Sequence, residues 1–228
     1  MNVKNDIEQY SKWFNDRINF VSKIDDKDIV ILVCCSLIDA LARCVYCDKG
    51  NRERFIDILE QFGDTDIWTR VSIYHMVQDR SYESIKQNKI VADYCAKKLN
   101  WVVGDGKINY YDIDPTICTI KNEISNFESI NELGEICQKY KYSTIFYKEY
   151  RCGLVHEARI TSEFKFDYCN GDMPYYANYM DIDDRNHDKK HLVFPAKFII
   201  TATQTITNNV KEWLANQNIN PYERCGLI

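Results

Sequence analysis

Near the N-terminus apolar residues recur at helical spacing, at Ile7, Tyr10, Trp13, Phe14, Ile18 and Val21. That spacing predicts a first amphipathic helix from about Asn5 to Val21. The polar segment KIDDKD closes it, and from Ile29 to Cys47 the sequence is apolar nearly all round. Such a stretch reads as the central helix of a bundle, covered on every face by neighbours, with Gly50 at its expected end. Shorter helical patterns follow at Glu53 to Phe62, Ile67 to Val77 and Ile85 to Trp101, separated by Gly, Asp, Ser or Asn.

The middle of the chain is less periodic. Gly104 to Gly106 reads as a turn, KINYYDID as a short strand, and Pro115 as the opening of another helix. From Asn131 to about Glu157 the helical stripe returns, with a slip near Lys141 to Ser143 that predicts a kink or break. The period then changes to two: Ile160, Ser162, Phe164, Phe166 and Tyr168 alternate with polar residues, as in a half-buried strand. Asn170-Gly171 supplies a turn, Met173 to Ile182 the returning strand, and DDRNHDKK a polar loop. Ile199, Thr203, Ile206, Val210 and Trp213 carry a last long helix to about Asn216. The expected fold is therefore mainly α, a helical bundle with a small antiparallel β-hairpin inserted before the last long helix. With no repeat, low-complexity tract or linker, residues 1–228 read as one domain with the hairpin at about 159–194.

Composition narrows the class. The chain has 228 residues, 45% of them hydrophobic, which is enough for a sizeable core. Its net charge of −5 repels phosphate backbones in bulk, so a nucleic-acid site has to be a local basic pocket. No basic stretch leads into an apolar segment with a small-residue cleavage site, and the longest apolar run, IVILVCCSLI, is too short to span a bilayer. The expected setting is cytoplasmic. Ten cysteines, with Cys34 and Cys35 adjacent inside that run, read as small buried hydrophobes rather than a disulfide framework. Cys44 and Cys47 form a C-x-x-C without a second half at zinc-ligand spacing. No metal or cofactor is expected.

One short motif carries chemistry. YRCGLVHEAR holds R-x-x-x-x-H from Arg151 to His156 at the end of the penultimate long helix, and this resembles the HEPN motif. A softer likeness is SLIDALARCVYCDKGNRERFIDIL, which is similar to the central helices of bacterial HEPN-like proteins. The resemblance implies metal-independent endoribonuclease activity by a homodimer, of the defence or toxin type, with two arginine–histidine pairs meeting at the bundle interface. It also implies an RNA substrate and, as regulator, a cognate antitoxin or other partner protein. Two departures from the motif stand out: Cys152 follows the arginine where a stronger hydrogen bonder is usual, and Glu157 places a negative charge beside His156.

The residue types suit that reaction. Attack of a ribose 2′-OH on its own phosphate needs proton transfer and stabilisation of phosphorane charge; imidazole, unperturbed near pKa ~6.5, supplies the first and guanidinium the second. In an α-helix five steps rotate about 500°, leaving Arg151 and His156 about 140° apart and about 7.5 Å apart along the axis. A symmetric dimer, or fraying at Gly153, is then needed to reunite them. From Lys139 to Lys165 there are six Lys or Arg against three acidic residues, so a local basic site is compatible with the acidic total. Tyr147 and Tyr150 are candidate base-stacking side chains and Arg159 a further phosphate contact.

Blander readings stand beside these. Arg151, Glu157 and Arg159 can form a helix-terminal ion-pair cluster, His156 being favoured by the macrodipole, which leaves a catalytically silent dimerisation or protein-interaction module. Tyrosines at helical spacing are more often core. Asp39 and Arg43, four apart on the central helix, are expected to pair. His187 and His191 among Asp183, Asp184 and Asp188 read better as a solvated loop than a metal site, and His75 as a satisfied core or edge histidine.

Overall fold

The apolar stretch beginning near Ile29 forms α2 (Lys27–Val45), in which Val30, Ile31, Cys34, Cys35, Leu37, Ile38, Leu41, Ala42, Cys44 and Val45 are buried; the expected cover on every face is incomplete, because Ile29, Ser36, Ala40 and Arg43 form an exposed stripe. In this computed structural model, which describes residues 2–99, 109–110, 114–157, 171–180 and 188–226, the chain is mainly helical. Asp26 starts α2 by accepting hydrogen bonds from the backbone N–H groups of Asp28 and Ile29 at 3.0 and 3.2 Å. A carboxylate there satisfies orphan donors and suits the positive end of the helix dipole. The helix ends at Val45; Gly50 belongs to the next helix, as the N-cap of α3 (Asn51–Phe62).

By its contacts the chain divides into two units. The first comprises Met1–Trp68, Phe146–Asp172 and Pro195–Ile228; the second comprises Thr69–Ile145 and Met173–Phe194. In the first, α2 packs against α1 (Val3–Val21), α3, a π-helix (Phe146–Glu157) and α10 (Ala196–Gln217). The α1 stripe holds at Ile7, Tyr10, Phe14, Ile18 and Val21, all buried, but Trp13 is 46% exposed. On α10 the interior Thr203 and Thr207 hydroxyls donate to the carbonyls of Ile199 and Thr203 at 2.7 and 2.8 Å, so both are buried without an unmet donor. Asn218, at φ 50°, ends α10 in the left-handed conformation that asparagine tolerates. The short α4 (Thr65–Trp68) places Trp68 against Phe146 and Phe198, each ring centroid 5.4 Å away.

The second unit has its own core, including Val71, Ile73, Met76, Val91, Ile120, Leu133 and Ile136. Here the expected helix from Ile67 to Val77 is broken. Residues 70–72 run extended between two other segments: Val71 N–H donates to Pro115 O at 2.8 Å, Ser72 N–H to Tyr140 O at 2.9 Å, and Tyr142 N–H to Arg70 O at 2.8 Å. Tertiary pairing satisfies this backbone where helix bonds otherwise would, and α5 (Ile73–Gln78) starts only after Ser72 caps it. The helix expected from Ile85 to Trp101 starts later, as α6 (Lys89–Leu99), after a 3₁₀ turn (Arg80–Ser84), and Trp101 lies outside the described residues. Thr116, after Pro115, caps α7 (Ile117–Glu123). The stripe from Asn131 is interrupted as its slip predicts, giving α8 (Asn131–Lys139) and α9 (Tyr142–Ile145) ahead of the π-helix.

A small antiparallel sheet completes the unit, in the order β1 (Asn109–Tyr110), β2 (Tyr175–Met180), β3 (Asp188–Val193). The returning strand expected at Met173 to Ile182 is β2. The partner strand expected at Ile160 to Tyr168 lies outside the described residues, and β2 pairs with β3, Tyr175 opposite Val193 and Met180 opposite Asp188. The last three of the eight residues of the expected polar loop, Asp188 to Lys190, are therefore strand, and the first five lie outside the described residues. Charge in a loop-like sequence does not prevent pairing when the opposing strand supplies the ladder.

The apex of the second unit's polar interior is Asp114, 1% exposed. One carboxylate oxygen accepts from the Tyr142 hydroxyl at 2.7 Å and from the Tyr176 hydroxyl; the other accepts from Ile73 N–H at 3.3 Å. The Tyr176 hydroxyl also meets Ser72 Oγ at 2.6 Å, and Ser72 Oγ meets His75 Nδ1 at 2.7 Å. His75 is thus a partly buried, hydrogen-bonded histidine. Burial pushes the Asp114 carboxyl up to about 6, against the lowering effect of its tyrosine and backbone donors and of Arg70.

A carboxyl that is harder to ionise in the fold than in the unfolded chain stabilises fully below its unfolded pKa, and the stabilisation is lost as pH rises through about 6. From Asp114 alone, raising the pH from about 4 to about 7 lowers the unfolding free energy by on the order of 3 kcal/mol. Urea titrations across that range should show the decline in the parent chain and a flatter profile in Asp114→Asn. A parent profile that rises over the same interval contradicts the assignment.

Candidate functional site

Arg151 and His156 both lie on the π-helix, and that changes the geometry of their spacing. An α-helix turns past a five-residue interval, whereas a helix with i→i+5 hydrogen bonds brings positions five apart close to one above the other. Side chains report the same register: Tyr147 and Cys152, also five apart, lie close enough that, beyond burial, Cys152 raises the pKa of the Tyr147 hydroxyl. The 140° separation expected for an α-helix therefore does not apply, and Arg151 and His156 fall on nearly the same side.

Their environments differ. Arg151 is half-buried, and its Nη2 donates to Asp39 Oδ2 of α2 at 2.7 Å. Its guanidinium carbon lies 5.6 Å from the centroid of the Tyr147 ring, close enough for a cation–π contact. Burial alone would lower the arginine's pKa, but the Asp39 hydrogen bond and charge raise it further, so the cation is held firmly. His156 is exposed, as is Val155 beside it, and no hydrogen bond or ion pair joins His156 to another described residue.

Asp39 turns out to be the hub. Besides Arg151 it meets Arg54 of α3, with Arg54 Nη2 to Asp39 Oδ1 at 3.5 Å; side-chain exposures are 20% for Asp39, 12% for Arg151 and 15% for Arg54. Two guanidinium groups thus share one carboxylate, leaving a local excess of one positive charge. The expected intrahelical Asp39–Arg43 pair is not formed, since Arg43 points to the exposed side of α2 and Asp39 toward α3 and the π-helix. Arg54 Nε is buried without a hydrogen-bond partner among the described residues.

Compared with family models, curated proteins and solved structures, the chain matches none. The site accordingly has to be judged on its own residues. Tyr147 is partly exposed and sits between the Arg151 guanidinium and Phe55, whose ring centroid is 5.5 Å away. Tyr150 belongs to the core: it is 4% exposed and stacked on Phe146 at 5.3 Å, which removes it from a base-stacking role. Arg159 and His187 lie outside the described residues. His191 lies on β3, its ring centroid 6.2 Å from that of His75, and no group of metal-ligating side chains is found among the described residues.

One participant escapes sequence reasoning. Arg54 lies in NRERFIDIL, where nothing distinguishes it from its charged neighbours until α3 packs on α2. Glu149, two residues before Arg151, has its carboxyl pushed up to about 7 by burial, against the opposing charge of Lys148. A carboxyl in that range exchanges protons near neutrality.

The shared-carboxylate arrangement predicts an asymmetry in mutational cost. Asp39→Ala strands two half-buried guanidinium groups next to each other and should cost about 3 kcal/mol of stability. Arg151→Ala should cost less, about 1 to 2 kcal/mol, because Arg54 remains to compensate Asp39. Urea unfolding of the two variants measures this, and an equal or greater loss in Arg151→Ala would show that Arg54 does not share the charge.

Proposed function

We propose that the protein is a metal-independent endoribonuclease of HEPN type, acting as a homodimer on single-stranded or tRNA-like RNA in a defence or toxin role. The observation that carries this reading is the pairing of R-x-x-x-x-H spacing with a helix whose register brings such positions to one side. His156 transfers protons at the attacking and leaving oxygens, and Arg151 binds the scissile phosphate. Arg151 gives Asp39 one N–H at 2.7 Å, and a guanidinium has five, so donors are left for phosphate oxygens. Arg54 reinforces the positive charge, and Tyr147 lines the same place. At the dimer interface two such pairs face each other across the two-fold axis, exposed Val155 giving an apolar contact beside each His156.

A second reading has one observation in its favour. The Arg151–Asp39 pair alone stabilises the fold, so the same bundle without catalysis serves as a HEPN-like dimerisation or protein-interaction module that binds a regulatory partner.

Cleavage of RNA in EDTA decides between them. The nuclease reading expects products with 2′,3′-cyclic phosphate ends and a fall of at least about a hundredfold in His156→Ala and Arg151→Ala. His156→Ala should keep the parent unfolding midpoint, since the histidine is exposed, so its loss of activity is not a loss of fold. A dimer with no cleavage supports the interaction module, and cleavage undiminished in both variants assigns the activity elsewhere.

A further inference from the structure

Away from Arg151, α1, α2 and α11 (Pro221–Arg224) frame an open pocket of about 340 Å³ that Cys225 helps to line. Its walls are mostly aromatic: Tyr10, Trp13, Phe14 and Tyr222, with Arg43 of α2 as the charged member. The place is built rather than incidental. Arg224 Nε donates to Cys44 O at 2.6 Å and its Nη2 to Val45 O at 2.9 Å, while Asn220 Nδ2 donates to Asp6 Oδ2 at 2.9 Å. Those bonds fasten the turn bearing Cys225 to the last turn of α2 and the first of α1. They hold Cys225 Sγ 3.9 Å from the Tyr10 hydroxyl and beside the buried Cys44, whose carbonyl Arg224 binds.

Three acidic groups in one contact, Tyr10, Cys44 and Cys225, cannot all ionise, so the first anion settles on the group that is least desolvated and best compensated. Cys225 is partly exposed and faces Arg43 and Arg224. The Cys44 hydrogen bond, then those of Tyr10 and the two arginine charges, lower its thiol to about 6 against the effect of burial. Cys44 is driven up, chiefly by its hydrogen bond to Cys225 and by burial, and Tyr10 is driven up by burial and by the two cysteines. Both keep their protons and donate them to the Cys225 thiolate. A partly exposed thiolate between guanidinium groups, with a second thiol beside it, is the constellation of a peroxide-reactive cysteine and its resolving partner.

We propose that Cys225 is a peroxide-reactive thiol which Cys44 resolves into an internal disulfide, locking α11 onto the end of α2. The Cys225 thiolate attacks one oxygen of hydrogen peroxide; the S–O bond forms, the O–O bond breaks, and hydroxide leaves and takes a proton from solvent to become water. Sulfur is oxidised by two electrons to the sulfenic acid and the peroxide is reduced. The Cys44 sulfur then attacks the sulfenic sulfur, the S–S bond forms, and the sulfenic hydroxyl departs with the Cys44 proton as a second water.

Peptide mapping by mass spectrometry after treating the reduced full chain with hydrogen peroxide at neutral pH tests this, with the exposed Cys47 and Cys118 as internal comparators. The expected result is a Cys44–Cys225 cross-link, lacking two hydrogens, that forms at least about tenfold faster than oxidation of Cys47 or Cys118. In Cys44→Ser the sulfenic acid on Cys225 should persist and be captured by dimedone, and in Cys225→Ser neither product should form. Iodoacetamide labelling of the untreated parent chain, which needs no variant to fold, should show Cys225 half-maximally reactive near pH 6. Oxidation of Cys225 no faster than that of Cys47 and Cys118 overturns the proposal, as does over-oxidation of Cys225 in the parent chain without the cross-link.

Discussion

A charge on the packed side of a helix cannot stand alone, and α2 carries one at Asp39. Asp39 interrupts an otherwise apolar run and, at 20% exposure, has too little water to be solvated as a free carboxylate. Compensation has to come from the helices packed on α2, and it comes from two of them, Arg54 of α3 and Arg151 of the π-helix. The pairing therefore sets the rotation of both helices about their axes. It also fixes Arg151 where its remaining donors and the Tyr147 ring share a single place on the first unit. The catalytic proposal inherits its geometry from this requirement of burial.

Much of the helical framework is legible in the sequence because period-3.6 patterns persist when one face of a long helix is buried: α1, α2, α3 and α10 lie within a few residues of where Ile7 to Val21, Ile29 to Cys47, Glu53 to Phe62 and Ile199 to Trp213 put them. Short elements are different. The run from Ile67 to Val77 is apolar enough for a helix, yet its middle is extended because Pro115 and Tyr140 offer carbonyls to Val71 and Ser72. No local pattern encodes partners more than forty residues away. For the same reason β3 hides inside DDRNHDKKHLV, where only pairing with β2 makes Asp188 to Lys190 a strand.

The site was legible at the level of residue type and not of neighbour. Arg151 and His156 are visible as a motif, but the partner of Arg151 is not, since Asp39 is 112 residues away in sequence and Arg43 is the nearer candidate by helical spacing. Tyr147 and Tyr150 look alike in sequence, and only packing separates the partly exposed ring beside Arg151 from the one stacked on Phe146. The π register is the least legible feature of all. Nothing in FYKEYRCGLVHE marks a helix bonded five residues apart, although that register decides whether the motif spacing helps or hinders convergence.

Asp39, Asp114 and Cys225 show how one chain assigns different roles to acidic groups through surroundings alone. Asp39 has cations on two sides and serves as a charge. Asp114 has hydroxyl and amide donors around it and only Arg70 as a charged neighbour, so burial wins and its carboxyl is held near neutrality. The Cys225 cluster is intermediate: two arginines and two protonated donors favour the anion, and partial exposure keeps its desolvation cost low enough for them to prevail. Fixed compensation by Arg54 and Arg151 makes Asp39 suited to positioning. A group poised by a balance of burial and donors, as at Cys225, is the kind that changes state when its environment does. Chemistry that must respond to conditions is thus expected at the second kind of centre, and chemistry that must be always ready at helices oriented by the first.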